Sequence, residues 1–194
     1  GTFRLTESSN EANIRRLPVD YAEELKIEYV RTKLHDPELQ VGSTGTAGID
    51  LHWFEELQEN GAWDYFDALF VHLHCFPRAP EVNNTMTREF WLHDRVTLLR
   101  ELMDKYGEKP VYDSENGYLP RFPDRRVEKY PLRSVSDSSI AAAFMVRSYL
   151  QCLAYGVSNK MWFTVDSYGG FGITEYGQPL PAYPAYAAMT RMLD

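Results

Sequence analysis

The strongest constraint on the fold is a regular alternation of segments patterned as strands with segments patterned as helices. One strand segment, "DALFVHLHCF" (67–76), is apolar at almost every position instead of at every second one. Such a strand is typical of a parallel sheet that helices cover on both faces. Parallel strands need crossover connections, which usually contain a helix, so the alternation indicates an α/β fold.

The pattern predicts five strands and five helices. The strands are predicted over residues 2–8, 39–44, 67–76, 109–115 and 159–167. The helices are predicted over residues 19–36, 48–60, 87–107, 139–156 and 181–193. Glycines at 61, 107 and 156 lie where three of these helices are expected to end. The predicted order is therefore five consecutive βα units.

Ionisable residues lie at or just past the carboxyl ends of four of these strands: Glu11, His74, Glu115 and Asp166. In (β/α)8 barrels that end of the strands carries the active site. The chain has no GxGxxG or P-loop motif, which a doubly wound nucleotide-binding fold would be expected to carry. We therefore expect a (β/α)8 barrel of the TIM type. A complete barrel has eight strands and about 250 residues, so residues 1–194 should form a single domain with about five of the eight units.

The composition of the chain limits the classes of molecule that it is expected to bind. The chain is 44% hydrophobic and carries a net charge of −8, which argues against binding to nucleic acids or to anionic membranes. No apolar segment reaches 18 residues, so no membrane span is expected, and no signal peptide is visible. Cys75 and Cys152 are far apart and lack metal-binding spacing. We predict neither a metal site nor a cofactor, and one disulfide bridge stays an open alternative.

Two carboxylates, Glu11 and Glu115, are candidates for paired acid–base chemistry. Glu11 follows the first predicted strand and Glu115 ends the fourth, 115 − 11 = 104 residues later. Only the fold can bring them together. A barrel would do so, because both would face the same mouth.

The segments around these carboxylates, and others in the same order, resemble clan A glycoside hydrolases, in particular family 39-like members. "SNEAN" (9–13) is similar to the Asn-Glu-Pro-Asn motif that ends their strand four, and "PVYDSENGY" (110–118) to the strand-seven segment with their nucleophilic glutamate. "DYAEELKIEYVRTKLHDPELQVGS" resembles their passage from helix four to strand five. "FDALFVHLHCF" resembles strand six, and "NKMWFTVDSYGGFGITEYGQPLPAYPAYAAM" resembles strand eight with the final helix.

This resemblance implies that the chain is the C-terminal part of such a barrel, with strands four to eight. Two residues depart from the pattern: Ala12 replaces the proline of the motif, and Phe76 stands where the family often has an aromatic hydroxyl. Strands one to three, which supply part of the sugar site in the family, are not in the chain. A secreted or periplasmic location is expected from the resemblance.

The implied activity is retaining hydrolysis of a β-linked glycoside by double displacement, with no cofactor. Glu115 would be the nucleophile and Glu11 the acid and base, with carboxyl groups about 5–5.5 Å apart. The resemblance also implies three substrate-binding residues: Asn10 would donate to the sugar 2-hydroxyl, His74 would hydrogen-bond at the mouth, and Trp162 would stack on the sugar ring. An inverting enzyme would instead show a separation of about 6.5–9.5 Å.

Each of these residues also has a structural interpretation. Glu115 can be a solvated acid at a strand end, and Trp162 can be a core residue. Glu7 is the alternative to Glu11 as the second carboxylate, and it can also be a structural residue of its strand. His74 stays open between both roles, as does Asp166, which can contact a sugar hydroxyl or cap a turn.

The sequence favours a structural role for three further residues. His72 is interpreted as a core histidine. Asp113, on the same strand face as Glu115, is interpreted as the partner of an arginine inside the barrel. Trp63 is interpreted as a packing residue.

The alternative to an enzyme is a non-catalytic carbohydrate-binding half-barrel, or one whose activity depends on assembly. A half-barrel has two open sheet edges, which invite pairing with another chain. We therefore expect self-association or pairing with an N-terminal half-barrel, and carbohydrate as the small-molecule partner.

Overall fold

A computed structural model of the chain describes residues 18–75, 77–82, 92–120, 134–135, 137–166 and 171–193. The α-helices are α1 (Pro18–His35), α2 (Leu51–Glu59), α3 (Leu92–Tyr106), α4 (Ser138–Ala154) and α5 (Ala182–Leu193). The strands are β1 (Thr46–Ala47), β2 (Leu69–His72), β3 (Val111–Asn116), β4 (Leu119–Pro120), β5 (Ser134–Val135), β6 (Asn159–Trp162), β7 (Thr174–Glu175) and β8 (Gln178–Pro179). A 3-10 turn spans Trp63–Tyr65.

The helices begin and end where local chemistry favours it. Asp50 caps α2 by accepting a hydrogen bond from the Trp53 N–H, and Asp137 caps α4 by accepting from Ser139 and Ile140. Gly61, just past α2, has a φ of +67°, which glycine adopts without strain. The predicted helices are therefore confirmed within the described residues, with small shifts at their ends.

The main sheet is parallel and has the strand order β1-β2-β3-β6, which follows the chain. Leu69 pairs with Val111 between β2 and β3, and Asn116 pairs with Trp162 between β3 and β6. Each strand lies next to the preceding strand of this sheet, as in a barrel. Because the strands are parallel, their carboxyl ends meet at one edge.

Two of the predicted strands differ from the structure or lie outside it. Residues 39–44 form only one bridge, from Gly42 to Ala68, and the pairing with β2 continues at Thr46 and Ala47. The predicted strand over residues 2–8 lies outside the described residues, so three of the five predicted strands are described in the sheet, as β2, β3 and β6.

Among the described residues, the hydrophobic core forms two clusters. The larger cluster packs β2 and β3 against helices α1 to α4, with Trp63 almost fully buried as predicted for a packing residue. The smaller one joins α4 to α5 and includes Met145 and Met189. Trp162 packs against both clusters. The helices therefore pack against the sheet and leave its carboxyl edge for other contacts.

Both cysteines are buried free thiols, so the open alternative of a disulfide is excluded in this structure. Burial raises the pKa of Cys75 to about 11 and that of Cys152 to about 12. At neutral pH both thiols are therefore protonated and poorly nucleophilic.

Within the described residues, no helix combines the length and the hydrophobicity that crossing a bilayer requires.

Candidate functional site

Glu115 lies near the carboxyl end of β3, beside two histidines of β2 and the loop after it. The Nε2 atom of His74 lies 3.3 Å from Glu115 Oε1, and the Nδ1 atom of His72 lies 4.0 Å from Glu115 Oε2. The three side chains are 20–30% exposed. The carboxylate therefore sits at the edge of the sheet, within reach of a small molecule.

His74 orients one oxygen of this carboxylate. Burial lowers the pKa of the His74 imidazole, and the charges of Glu115 and Asp113 offset this effect only in part. The neutral ring carries a single N–H. With the proton on Nε2, His74 donates a hydrogen bond to Glu115 Oε1, which fixes the orientation of this oxygen.

His72 approaches the second oxygen because a glycine makes room for its ring. A Cβ added at Gly45 would lie 2.2 Å from His72 Nε2, and the other ring nitrogen is the one near Glu115. The interpretation of His72 as a core histidine is wrong, since the side chain is 24% exposed beside this carboxylate. The position of His72 beside His74 was predictable from the sequence, because residues i and i+2 of a strand lie on the same face.

A buried ion pair lies directly behind the site. Lys160 of β6 donates a hydrogen bond to Asp113 Oδ2, and Leu73 donates its backbone N–H to Asp113 Oδ1 at 2.9 Å. The side chains of Asp113 and Lys160 are 0% and 4% exposed. Burial lowers the pKa of Lys160, but the charge of Asp113, the hydrogen bond to it and the neighbouring Cys152 and Cys75 together outweigh burial, so the net shift of the pKa is upward.

These contacts tie β2, β3 and β6 together one or two residues before His74 and Glu115. The predicted arginine partner of Asp113 is wrong, because the cation is Lys160. Sequence reasoning missed this lysine, since β6 was interpreted through its aromatic residue alone. The pair fixes the strand ends that present the site.

Trp162 lies at the end of β6, half-buried among other aromatic rings. It stacks on Tyr118 with ring centroids 6.2 Å apart, and its indole N–H donates to the Phe171 carbonyl at 3.0 Å. These contacts place the ring next to β3 and fix its orientation. A stacking role toward a sugar stays a prediction, because the contacts described are all within the protein.

The Asp166 side chain stabilises a nearby turn of the protein. Its Oδ1 atom accepts hydrogen bonds from the Thr174 hydroxyl at 2.7 Å and from the Gly177 N–H at 3.2 Å. Both partners belong to the β7–β8 hairpin, whose turn has positive φ at Tyr176 and Gly177. The turn-capping alternative for Asp166 is therefore the one that the contacts support.

The predicted catalytic partner of Glu115 belongs to the segment before α1. Asn10 and Glu11 lie outside the described residues, as do the rival Glu7 and the departure at Phe76. The structure thus brings together Glu115 and His74 from the predicted site. The separation between the carboxyl groups of Glu11 and Glu115 stays a prediction.

No protein-family model matches the chain, and no curated protein matches it either. Solved structures do resemble it, among them a family 39 glycoside hydrolase from Xanthomonas axonopodis pv. citri, with a TM-score of 0.62 and 20% identity over 88% of this chain. A monomeric β-xylosidase from Caulobacter crescentus gives a TM-score of 0.58 and 18% identity, also over 88%. A family 51 α-L-arabinofuranosidase from Bifidobacterium longum gives 0.59 and 14%, over 89%.

This likeness concerns the fold. The neighbours are clan A glycoside hydrolases with TIM-barrel folds, and the chain has the α/β fold of part of such a barrel. It spans 36%, 37% and 41% of the lengths of these three proteins. At these identities the neighbours do not assign an activity or a substrate to this chain.

Proposed function

We propose that this chain is the C-terminal part of a retaining β-glycoside hydrolase barrel and carries its nucleophile, Glu115. The observation that carries the proposal is the position of Glu115: it lies at the carboxyl edge of a parallel sheet, partly exposed and oriented by His74. Active sites of barrel enzymes lie at that edge. The three structural neighbours described above are glycosidases, which supports the same class.

In the proposed reaction, a Glu115 oxygen attacks the anomeric carbon and forms a covalent glycosyl–enzyme. Glu11 protonates the leaving oxygen and then takes a proton from the water that releases the sugar. The neutral His74 keeps its hydrogen bond to Oε1, so Oε2 is the oxygen left free of this bond. Asn10 binds the sugar 2-hydroxyl, and Trp162 stacks on the apolar face of the ring.

The experiment is a panel of 4-nitrophenyl glycosides given to the polypeptide that the complete reading frame encodes. The panel holds β-xyloside, β-glucoside, β-mannoside, β-galactoside, the β-uronides and α-L-arabinofuranoside. Proton NMR of the best substrate then identifies the first-formed anomer. Retention of configuration supports the proposal, whereas inversion, or release of nitrophenol from no glycoside, contradicts it.

Residues 1–194 are proposed to form one domain that needs a further half-barrel for a complete sheet. Each of the three neighbours is more than twice as long as its segment that matches this chain. In the described sheet, β1 and β6 are the outer strands, and open strand edges pair readily.

We therefore expect the 194-residue chain, produced alone, to self-associate or to bind a polypeptide that supplies strands one to three. Sedimentation velocity over a range of concentrations measures this. The predicted result is a weight-average mass that rises with concentration above that of the monomer. A compact monomer at all concentrations would show that the edges need no partner.

A further inference from the structure

Two imidazoles and a carboxylate converge at the carboxyl edge of the sheet. The ligating atoms of His72, His74 and Glu115 all lie within 4.8 Å of one another. The two histidines differ in the nitrogen that faces the carboxylate, Nδ1 in His72 and Nε2 in His74. This arrangement has the donors of a three-ligand metal site, although the sequence analysis predicted none.

The spacing of the donors is close to what a metal ion needs. With bonds of about 2.0–2.1 Å, ligand atoms around tetrahedral zinc lie about 3.3 Å apart. The separation from His74 Nε2 to Glu115 Oε1 already has this value, at 3.3 Å. When a metal binds, the proton of the neutral His74 ring moves from Nε2 to Nδ1, because a ligating nitrogen carries no hydrogen. The separation from His72 Nδ1 to Glu115 Oε2 is 4.0 Å, so a small rotation of partly exposed side chains closes the site.

The surroundings hold these donors in place. His72 and His74 project from one strand segment, and the Leu73 N–H between them is fixed by Asp113. Gly45 makes room for the His72 ring. The charge of Asp113 is matched by Lys160, so the Glu115 carboxylate adds a negative charge that attracts a cation.

We propose that His72, His74 and Glu115 bind one divalent transition-metal ion of the Zn²⁺ class and that this ion blocks Glu115. Imidazole nitrogen with one carboxylate suits Zn²⁺, Ni²⁺ or Cu²⁺, whereas Mg²⁺ and Ca²⁺ prefer oxygen ligands. Three protein ligands leave a fourth position for water. The blocking part rests on the proposed function, because a metal-bound carboxylate cannot attack an anomeric carbon.

Calorimetric titration with Zn²⁺ tests the binding on the chelator-treated polypeptide, and the visible absorption of Co²⁺ reports the geometry. We expect one ion per chain. His72→Gln and Glu115→Gln should each weaken binding by at least about 100-fold, since even supporting residues around a metal are worth about 10–100-fold. Glutamine keeps the size of Glu115, so this variant also guards against a folding defect. The matched control is His52→Gln, which removes an exposed histidine beside Glu56 on α2.

The proposal would be overturned if millimolar metal produced neither a heat of binding nor a Co²⁺ absorption band. Equal metal affinities of the native protein and the three variants would also overturn it. These measurements need no catalytic turnover, so their outcome does not depend on whether the protein is a glycosidase. For an active enzyme, Zn²⁺ should raise the apparent KM of the native protein, and its effect should disappear in His72→Gln. Zinc that binds without slowing turnover would overturn the blocking part.

Discussion

Replacing Glu115 with glutamine is expected to lower kcat/KM by at least about 10³-fold on every glycoside that the native protein hydrolyses. The amide has the shape of the carboxylate but cannot form the glycosyl ester, so the covalent route is lost. Losing the nucleophile of a covalent enzyme costs up to about 10⁶-fold in a well-studied hydrolase. Initial rates with the best aryl glycoside of the panel measure the effect.

Glu108→Gln is the matched control. Glu108 is an exposed glutamate just before β3, at the opposite end of the strand that carries Glu115. It should keep the rate within a factor of about two, because it lies far from the carboxyl edge. A Glu115→Gln variant with the rate of this control would remove Glu115 from the mechanism.

Glu11→Gln should behave differently from Glu115→Gln. Its loss of kcat/KM should be largest with poor leaving groups, which need protonation, and small with 2,4-dinitrophenyl glycosides, which do not. The kcat for the dinitrophenyl glycosides should still fall, because Glu11 also takes the proton from the water in the second step. The same loss with every leaving group would assign Glu11 another role.

The second large effect is expected from the buried pair behind the site. Lys160→Met leaves the Asp113 carboxylate in the core without its cation, and removing one partner of a buried ion pair costs about 3–5 kcal/mol. Asp113→Ala should cost a similar amount, because it leaves the buried ammonium and the Leu73 N–H without their partner. Urea unfolding followed by circular dichroism gives the change in the free energy of unfolding.

Two comparisons make this prediction specific. Lys105→Met removes an exposed lysine that lies 4.0 Å from Glu55, and it should cost less than about 1 kcal/mol. The double variant Asp113→Leu with Lys160→Met should recover part of the loss, since apolar replacement of a whole buried pair is often neutral or stabilising. Equal stability of Lys160→Met and Lys105→Met would show that the pair is not a structural element.

The sequence predicted the elements of the fold well because their signals are local. A nearly continuous apolar run predicted β2, and a helical pattern predicted α4, in which Ala141, Met145 and Cys152 are buried. The position of β1 was predicted wrongly, over residues 39–44 instead of Thr46–Ala47. Its pairing shifts from Gly42 to Thr46, and no short-range pattern marks such an irregularity.

Part of the arrangement around Glu115 was predictable from the sequence. Glu115 and His74 were expected to lie close together because both are near the carboxyl ends of strands, and parallel strands end at one edge. Lys160 and Gly45 were not found, since their roles come from contacts with Asp113 and His72 across strands. Sequence spacing does not report which side chains meet between neighbouring strands, so such partners appear only in the folded protein.

Covalent trapping tests the central claim most directly. A 2-deoxy-2-fluoro glycoside of the preferred sugar, with 2,4-dinitrophenolate as leaving group, slows both chemical steps but keeps the first faster than the second, so a glycosyl–enzyme accumulates. Intact-mass and peptide analysis then locate the sugar. The account predicts one fluoroglycosyl group per chain, attached to Glu115 and absent from Glu115→Gln. A label on another carboxylate, or continued hydrolysis without any adduct, would contradict it.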